Sequence, residues 1–237
     1  MASLPQATVS VSAEAGALAG GTGYCVVMGC VGTNADGVPR VYSSYKAILA
    51  QHNYAPAVDY AGLHIEATNK PVIFIGLPVA TAGVVGRQDA SGVTGSSVIT
   101  VAAGATGYLE ETDCILTVTT AGTIGTNGIV FKFSADGGVT EKTIRLGTAT
   151  SWTVPYLGIV ISFAAGTLAA GDTYSFTTTA PMWDSAGIAA ARTALAQQQK
   201  LARSWVVIGD ISNSTFAGYV TSAVNAYETS NKRFTLA

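Results

Sequence analysis

Charge is what this chain has least of. Only 11% of its 237 residues are Asp, Glu, Lys or Arg, against roughly 25% in an ordinary soluble domain. So bare a surface is weakly protected against self-association, a defect in a monomer but an expected property of an assembly subunit. The formal net charge of −2 gives no ground for a nucleic acid partner, which would require a basic patch. Histidine is nearly missing: His52 and His64 are the only two. Cysteine is scarce and odd in number, with Cys25, Cys30 and Cys114 at no metal-type spacing. Cys25 and Cys30 lie an odd number of residues apart in or beside a strand, so their side chains should point to opposite faces. All three read as small buried hydrophobes, which favours a reducing compartment. No stretch approaches the ~18 uninterrupted apolar residues of a membrane-spanning helix, so direct membrane insertion is not expected. Met1-Ala-Ser-Leu-Pro5 lacks the basic start of a secretory signal.

What is present is long enough to bury a sizeable core, as one large domain or two modest ones. Tyr24–Val31 is continuously apolar, as a strand covered on both faces would be. Asn34-Ala-Asp-Gly-Val-Pro39 supplies a turn. Ser43 or Ser44 can cap a helix carrying Tyr45, Ile48 and Leu49 and ending near Asn53. A second helix over Val58–Thr68 leads to another buried-type strand, Pro71–Gly76. From about Val84 to Ala180 the texture changes to alternating Thr, Val and Ile with Gly-rich turns. Strand candidates fall at Ser97–Ala102, Cys114–Thr120, Gly128–Ser134, Thr140–Leu146, Leu157–Phe163 and Thr173–Thr179. Asp136-Gly-Gly138 reads as a hairpin turn between two of them. Helical signals return at Asp184, an N-cap, with Ile188, Ala191, Leu195 and Leu201 on one stripe. The strand Ser204–Gly209 follows. Phe216, Tyr219, Val220, Ala223, Val224 and Tyr227 then keep helical spacing, so this helix should pack on the sheet. Arg233–Ala237 begins like a further strand.

The expected fold class is therefore an α/β (α+β) core with an inserted all-β sandwich- or barrel-like domain and an extended N-terminal arm. The boundaries are 1–20 for the arm, 21–83 and 181–237 for a discontinuous core incomplete at its C-terminus, and 84–180 for the insert. In the arm, Thr8, Val9, Ser10, Val11 and Ser12 alternate polar and apolar, the pattern of a half-buried strand. A flexible Gly/Ala link separates them from the core. Such a strand needs a sheet edge to pair with, in its own chain or in a neighbour.

No catalytic, cofactor or metal constellation emerges. Gly16-Ala-Leu-Ala-Gly-Gly-Thr-Gly23 is glycine-rich, but it has no Lys to complete a phosphate loop and it precedes a strand instead of following one. Gly209-Asp-Ile-Ser212 sits after a strand, where a nucleophile could stand. A Ser–His mechanism nevertheless needs an oriented base within reach, and Ser212 or Asn213 reads more simply as a helix cap, with Asp210 a loop residue. His52 and His64 read as helix-face or helix-end residues. Asp136 and Asp172 read as turn formers, too sparse for a calcium loop. Trp152 and Tyr156, in one loop of the insert, could serve a carbohydrate surface, or Trp152 could anchor the insert core.

The order of segments carries more information than any site. A polar–apolar arm leads through a Gly-rich link to Gly23-Tyr-Cys-Val-Val-Met-Gly-Cys-Val31. A helix around Tyr42-Ser-Ser-Tyr-Lys-Ala-Ile-Leu49 and the strand Pro71-Val-Ile-Phe-Ile-Gly-Leu-Pro78 come next. The β stretch closes with Ala169-Ala-Gly-Asp-Thr-Tyr-Ser-Phe-Thr-Thr-Thr-Ala-Pro181, before a helix and Trp205-Val-Val-Ile-Gly209. This layout resembles the tail sheath proteins of contractile bacteriophages, or a closely related sheath-like tail protein. The resemblance implies a virion structural protein and not an enzyme, with no cofactor, built into a helical homo-oligomer of the virion tail and assembled in the host cytoplasm. It further implies strand-exchanging arms, contraction that drives an inner tail tube protein through the host envelope, and contacts with baseplate and tail terminator proteins. Sheath proteins normally continue beyond the point where this chain stops. The alternative expectation is a surface- or carbohydrate-binding virion module carried by the β insert.

Overall fold

The computed structural model describes residues 23–103, 112–155, 157–198, 202–209 and 214–231. The expected arm at 1–20, Tyr156, Leu201, Asp210–Asn213 and the last strand-like segment lie outside the described residues. In chain order the elements are β1 (Tyr24–Cys30), β2 (Arg40–Tyr42), α1 (Tyr45–His52), α2 (Pro56–Thr68) and β3 (Val72–Leu77). Strands follow without a described helix: β4 (Ile99–Ala103), β5 (Thr112–Thr120), β6 (Gly122–Thr123), β7 (Val130–Ser134), β8 (Lys142–Arg145), β9 (Ser151–Val154), β10 (Ile159–Phe163), β11 (Thr167–Leu168) and β12 (Thr173–Thr178). Then come α3 (Ser185–Ala196), β13 (Ala202–Ile208) and α4 (Ser214–Asn231). The chain is thus a mixed α and β protein. It divides into two compact units: Met1–His52, Pro56–Ala80 and Met182–Ala237 form one, and Asn53–Ala55 with Thr81–Pro181 the other.

The first unit is built on a four-stranded sheet in the order β13-β1-β3-β2. β1 runs parallel to both β13 and β3, with Val26 opposite Trp205 on one side and Ile73 on the other. β2 joins the far side of β3 antiparallel. The continuous apolar runs are explained by this placement: Val26, Val27, Met28, Val72, Phe74, Ile75 and Leu77 are fully buried. Gly29 is where α2 presses on the sheet, since a Cβ there would lie 2.6 Å from that of Ala57. α1 is capped by Ser44, whose hydroxyl accepts from the Ala47 N–H at 3.3 Å. Both helices of this pair are followed by asparagines in the left-handed region, Asn53 at φ 57° and Asn69 at φ 52°.

Asp184 caps α3, its carboxylate accepting from the Gly187 N–H at 2.8 Å. Ile188, Ala191 and Leu195 are buried as their spacing predicts. α4 keeps the predicted face, with Ala223, Val224 and Tyr227 buried, but its main neighbour is α3 and not the sheet. Its Tyr227 ring lies 5.3 Å from that of Trp205 in β13. The stripe defined which side of the helix would be covered. It could not define which element would cover it.

The second unit holds two antiparallel sheets, β12-β5-β7-β8 and β4-β10-β9, and a two-stranded ribbon of β11 with β6. Period-two burial is plain in Cys114, Leu116 and Val118 of β5 and in Ile159, Ile161 and Phe163 of β10. These residues, with Phe131, Tyr174 and Phe176, form one apolar core shared by the two larger sheets. The Asp136-Gly-Gly turn connects β7 to β8, Gly137 and Gly138 both taking positive φ. Asp136 accepts from the Thr140 N–H and hydroxyl, closing the turn from its other end.

Candidate assembly surface

The residues singled out for an interface, Thr8, Val9, Ser10, Val11 and Ser12, lie outside the described residues. What the structure offers is a place such a strand could join. β13 is a terminal strand of the first unit's sheet among the described residues, paired on one side with β1. β2 ends the same sheet but is only three residues long. β13 carries Ala202, Trp205 and Val206 buried and bears a single charge, Arg203. Long, apolar, lightly charged edges are those that accept added strands.

Several titratable groups are engaged in structure. His52 ends α1 with its ring fully buried, 4.8 Å from that of Phe74. Its Nδ1 lies 3.2 Å from the Thr33 carbonyl and its Nε2 3.1 Å from the Tyr42 hydroxyl. A carbonyl only accepts, so Nδ1 carries the proton and Nε2 accepts from Tyr42. Burial lowers the His52 pKa, the Thr33 hydrogen bond opposing. His64, half-buried on α2, is also lowered by burial and then by Lys70. Burial pushes the Cys30 thiol up to about 12 and raises Cys114 and Cys25 as well, although Cys25 is only half-buried. None of these thiols is poised as a nucleophile. No group of three or more His, Cys, Asp or Glu that could hold a metal is found among the described residues, nor is any described helix long and apolar enough to cross a membrane.

Asp172 does more than form a turn. It is 2% exposed, and its carboxylate accepts from the Thr94 N–H (2.8 Å), the Thr94 hydroxyl (3.1 Å), the Gly95 N–H (3.0 Å) and the Ala169 N–H (3.0 Å). Burial raises its pKa, but these hydrogen bonds outweigh that and hold the carboxyl below its usual range. Asp136 is held at about 2, chiefly by the hydroxyls of Ser134 and Thr140.

Trp152 belongs to β9 and not to a loop. Its ring packs edge-on against Phe131 at 5.4 Å and Phe133 at 5.0 Å. With Phe133, Lys142, Val154 and Leu157 it lines an open hollow of about 350 Å³ on the second unit. The hollow is mainly apolar and offers few hydrogen-bonding groups to fix a ligand's orientation.

The described residues thus form a mixed α and β protein, one unit built on a mixed, mostly parallel sheet and the other on antiparallel strands. No protein-family profile matches its sequence, and no curated protein does. Among solved structures it is similar to a sheath tail protein of Listeria innocua, at a TM-score of 0.37 and 10% identity over 90% of this chain and 46% of that one. The chain therefore spans less than half the length of that protein. It is also similar to FlgL of Xanthomonas campestris in two crystal forms, at TM-scores of 0.27 and 0.25, each with 10% identity. Those matches cover 69% and 67% of this chain and 55% and 47% of FlgL. Scores this low establish neither a shared fold nor a shared function.

Proposed function

We propose that the chain is a structural subunit of a virion tail, of the sheath type, that assembles with copies of itself into a helical sleeve. The observation that carries this reading is that β13 ends its sheet among the described residues, in a chain with 11% charged residues. The Thr8–Ser12 strand of one copy joins β13 of the next, and the Gly/Ala link behind it lets subunits shift without losing the connection. Contacts that repeat head to tail without closing produce a helix. In this reading the strand-only unit is an insertion that opens the α/β core between β3 and α3. The sleeve surrounds an inner tube protein, meets baseplate and terminator proteins at its ends, and contracts by moving between two packings of the same subunits. The layout of sequence segments supports this assignment.

The rival reading, a surface- or carbohydrate-binding module, has the hollow beside Trp152 in its favour. The edge-on packing of Trp152 on Phe131 and Phe133 favours an anchoring role for that ring instead. Negative-stain electron microscopy of the purified chain, with and without residues 1–20, separates the readings. Tubes, sleeves or stacked rings that vanish on deletion are expected. A monodisperse particle in both forms overturns the assembly reading, and glycan binding by that particle, abolished by Trp152→Ala, would establish the rival.

A further inference from the structure

β4 is an edge strand with none of the usual protection. Its sequence, Ile99-Thr-Val-Ala-Ala103, has no charge and no proline, and β10 is its only strand neighbour among the described residues. Uncharged, β-prone edges of this kind recruit further strands unless something blocks them. The other strands that end the two larger sheets of this unit differ. β8 carries Lys142 and Arg145. β12 is lined by the segment 84–89, through Gly86 N–H to Thr177 O (2.7 Å), Asp89 N–H to Ser175 O (2.8 Å) and Thr179 N–H to Val84 O (2.9 Å). β9 is four residues long.

The same segment that covers β12 with its backbone holds out one side chain to β4. With its amide oriented to match the surrounding groups, the Gln88 NH₂ donates to the Ile99 carbonyl at 3.0 Å and its oxygen accepts from the Val101 N–H at 3.0 Å. That pattern, a donor to residue i−1 and an acceptor from residue i+1, is how one residue of a parallel strand would engage β4 around Thr100, through its own N–H and its own carbonyl. A side-chain amide presents a donor and an acceptor on one side, as the N–H and carbonyl of such a residue do, but it cannot continue into a second residue. It fills the edge site and ends the ladder there.

We infer that Gln88 is an autoinhibitory edge guard, a strand surrogate that closes β4 to strand addition by a second copy of this chain. The device goes beyond the proposed assembly at β13. A protein that joins copies through added strands must keep its remaining apolar edges shut.

The test compares the full wild-type chain with Gln88→Leu and Gln88→Glu. Along β4 the N–H groups alternate in direction, so the Val101 amide faces Gln88 while Thr100 and Ala102 face β10. In Gln88→Leu the Val101 amide should exchange at least about fivefold faster, with Thr100 and Ala102 unchanged. That variant should also gain thioflavin-binding self-association relative to wild type at equal concentration. Gln88→Glu places a charge at the edge and should stay free of such association. An unchanged Val101 exchange rate in the leucine variant, or a faster rate without new association, overturns the inference. Protection of the β5 and β7 amides confirms that each variant is folded. Should the leucine variant fail that control, Gln88→Ser makes the same comparison.

Discussion

Acidification should loosen the first unit, and His52 is the group through which it acts. The ring is fully buried between Phe74, the Thr33 carbonyl and the Tyr42 hydroxyl. Its folded pKa is lowered below the ordinary 6.5, first by burial, with Thr33 opposing, Arg40 lowering it further and Asp36 raising it. The unfolded chain therefore takes up a proton near 6.5 while the folded chain still refuses it. Below that value the unfolded state binds more protons, so stability is full above 6.5 and declines as the pH falls toward the folded pKa. The slope in that interval is at most about 1.4 kcal/mol per pH unit. Asp36 and Asp136, held at about 2, do not titrate in this window. His64 is lowered too, but it is half-exposed and solvent weakens its share. The assay is urea unfolding followed by helical circular dichroism, which reports the first unit because all described helices lie there. His52→Asn keeps a donor for the Thr33 carbonyl and removes the titration. It should lower stability by about 2–4 kcal/mol through the lost ring and the orphaned Tyr42 contact, yet flatten the dependence between about pH 7 and pH 5. His64→Gln should leave most of the dependence in place. A wild-type chain equally stable at both ends of that range, or an asparagine variant with an undiminished slope, would refute the reasoning.

Three further outcomes follow from packing. Among the described residues the Tyr174 hydroxyl is buried without a hydrogen-bond partner, so Tyr174→Phe should be neutral or should stabilise the second unit by up to about 1–3 kcal/mol in thermal melts. A Cβ at Gly209 would lie 2.4 Å from Nε1 of Trp183, the atom that donates to the Ile208 carbonyl, so Gly209→Ala should cost about 1–3 kcal/mol by denaturant unfolding. Asp172→Asn turns an NH₂ toward donors that the carboxylate now satisfies. It should cost about 1–3 kcal/mol and speed amide exchange at Thr94, Gly95 and Ala169 together.

The sequence was most readable where one local rule decided the outcome. β1 and β3 are continuous apolar runs because they are the buried inner strands of their sheet, and Asp184 announces α3 because a cap needs only its own following turn. β4, β5, β7, β8, β10 and β12 followed from alternation, within a few residues at their ends. β9 reads locally as a loop, because Ser151-Trp-Thr-Val154 is short and stops before Pro155, and only pairing with β10 makes it a strand. β2, three residues long, likewise exists through its neighbour. The candidate site was less legible, because its residues act through partners distant in sequence. Nothing local marks His52 as more buried than His64; Thr33 and the Tyr42 of β2 do that. Asp172 gathers donors from Thr94 and Gly95, 78 and 77 residues away. Gln88 meets β4 only after folding.

The central claim is that neighbouring copies are joined by an arm strand added to β13. Residue-resolved hydrogen exchange on the assembled full chain, compared with the chain lacking residues 1–20, tests it most directly. In parallel pairing alternate amides of Ala202–Ile208 face away from β1. Those amides should exchange at least about tenfold more slowly in the assembly than in the deleted chain, while the amides facing β1 remain unchanged. Assembly that persists without the arm, with identical exchange along β13 in both samples, would contradict the account.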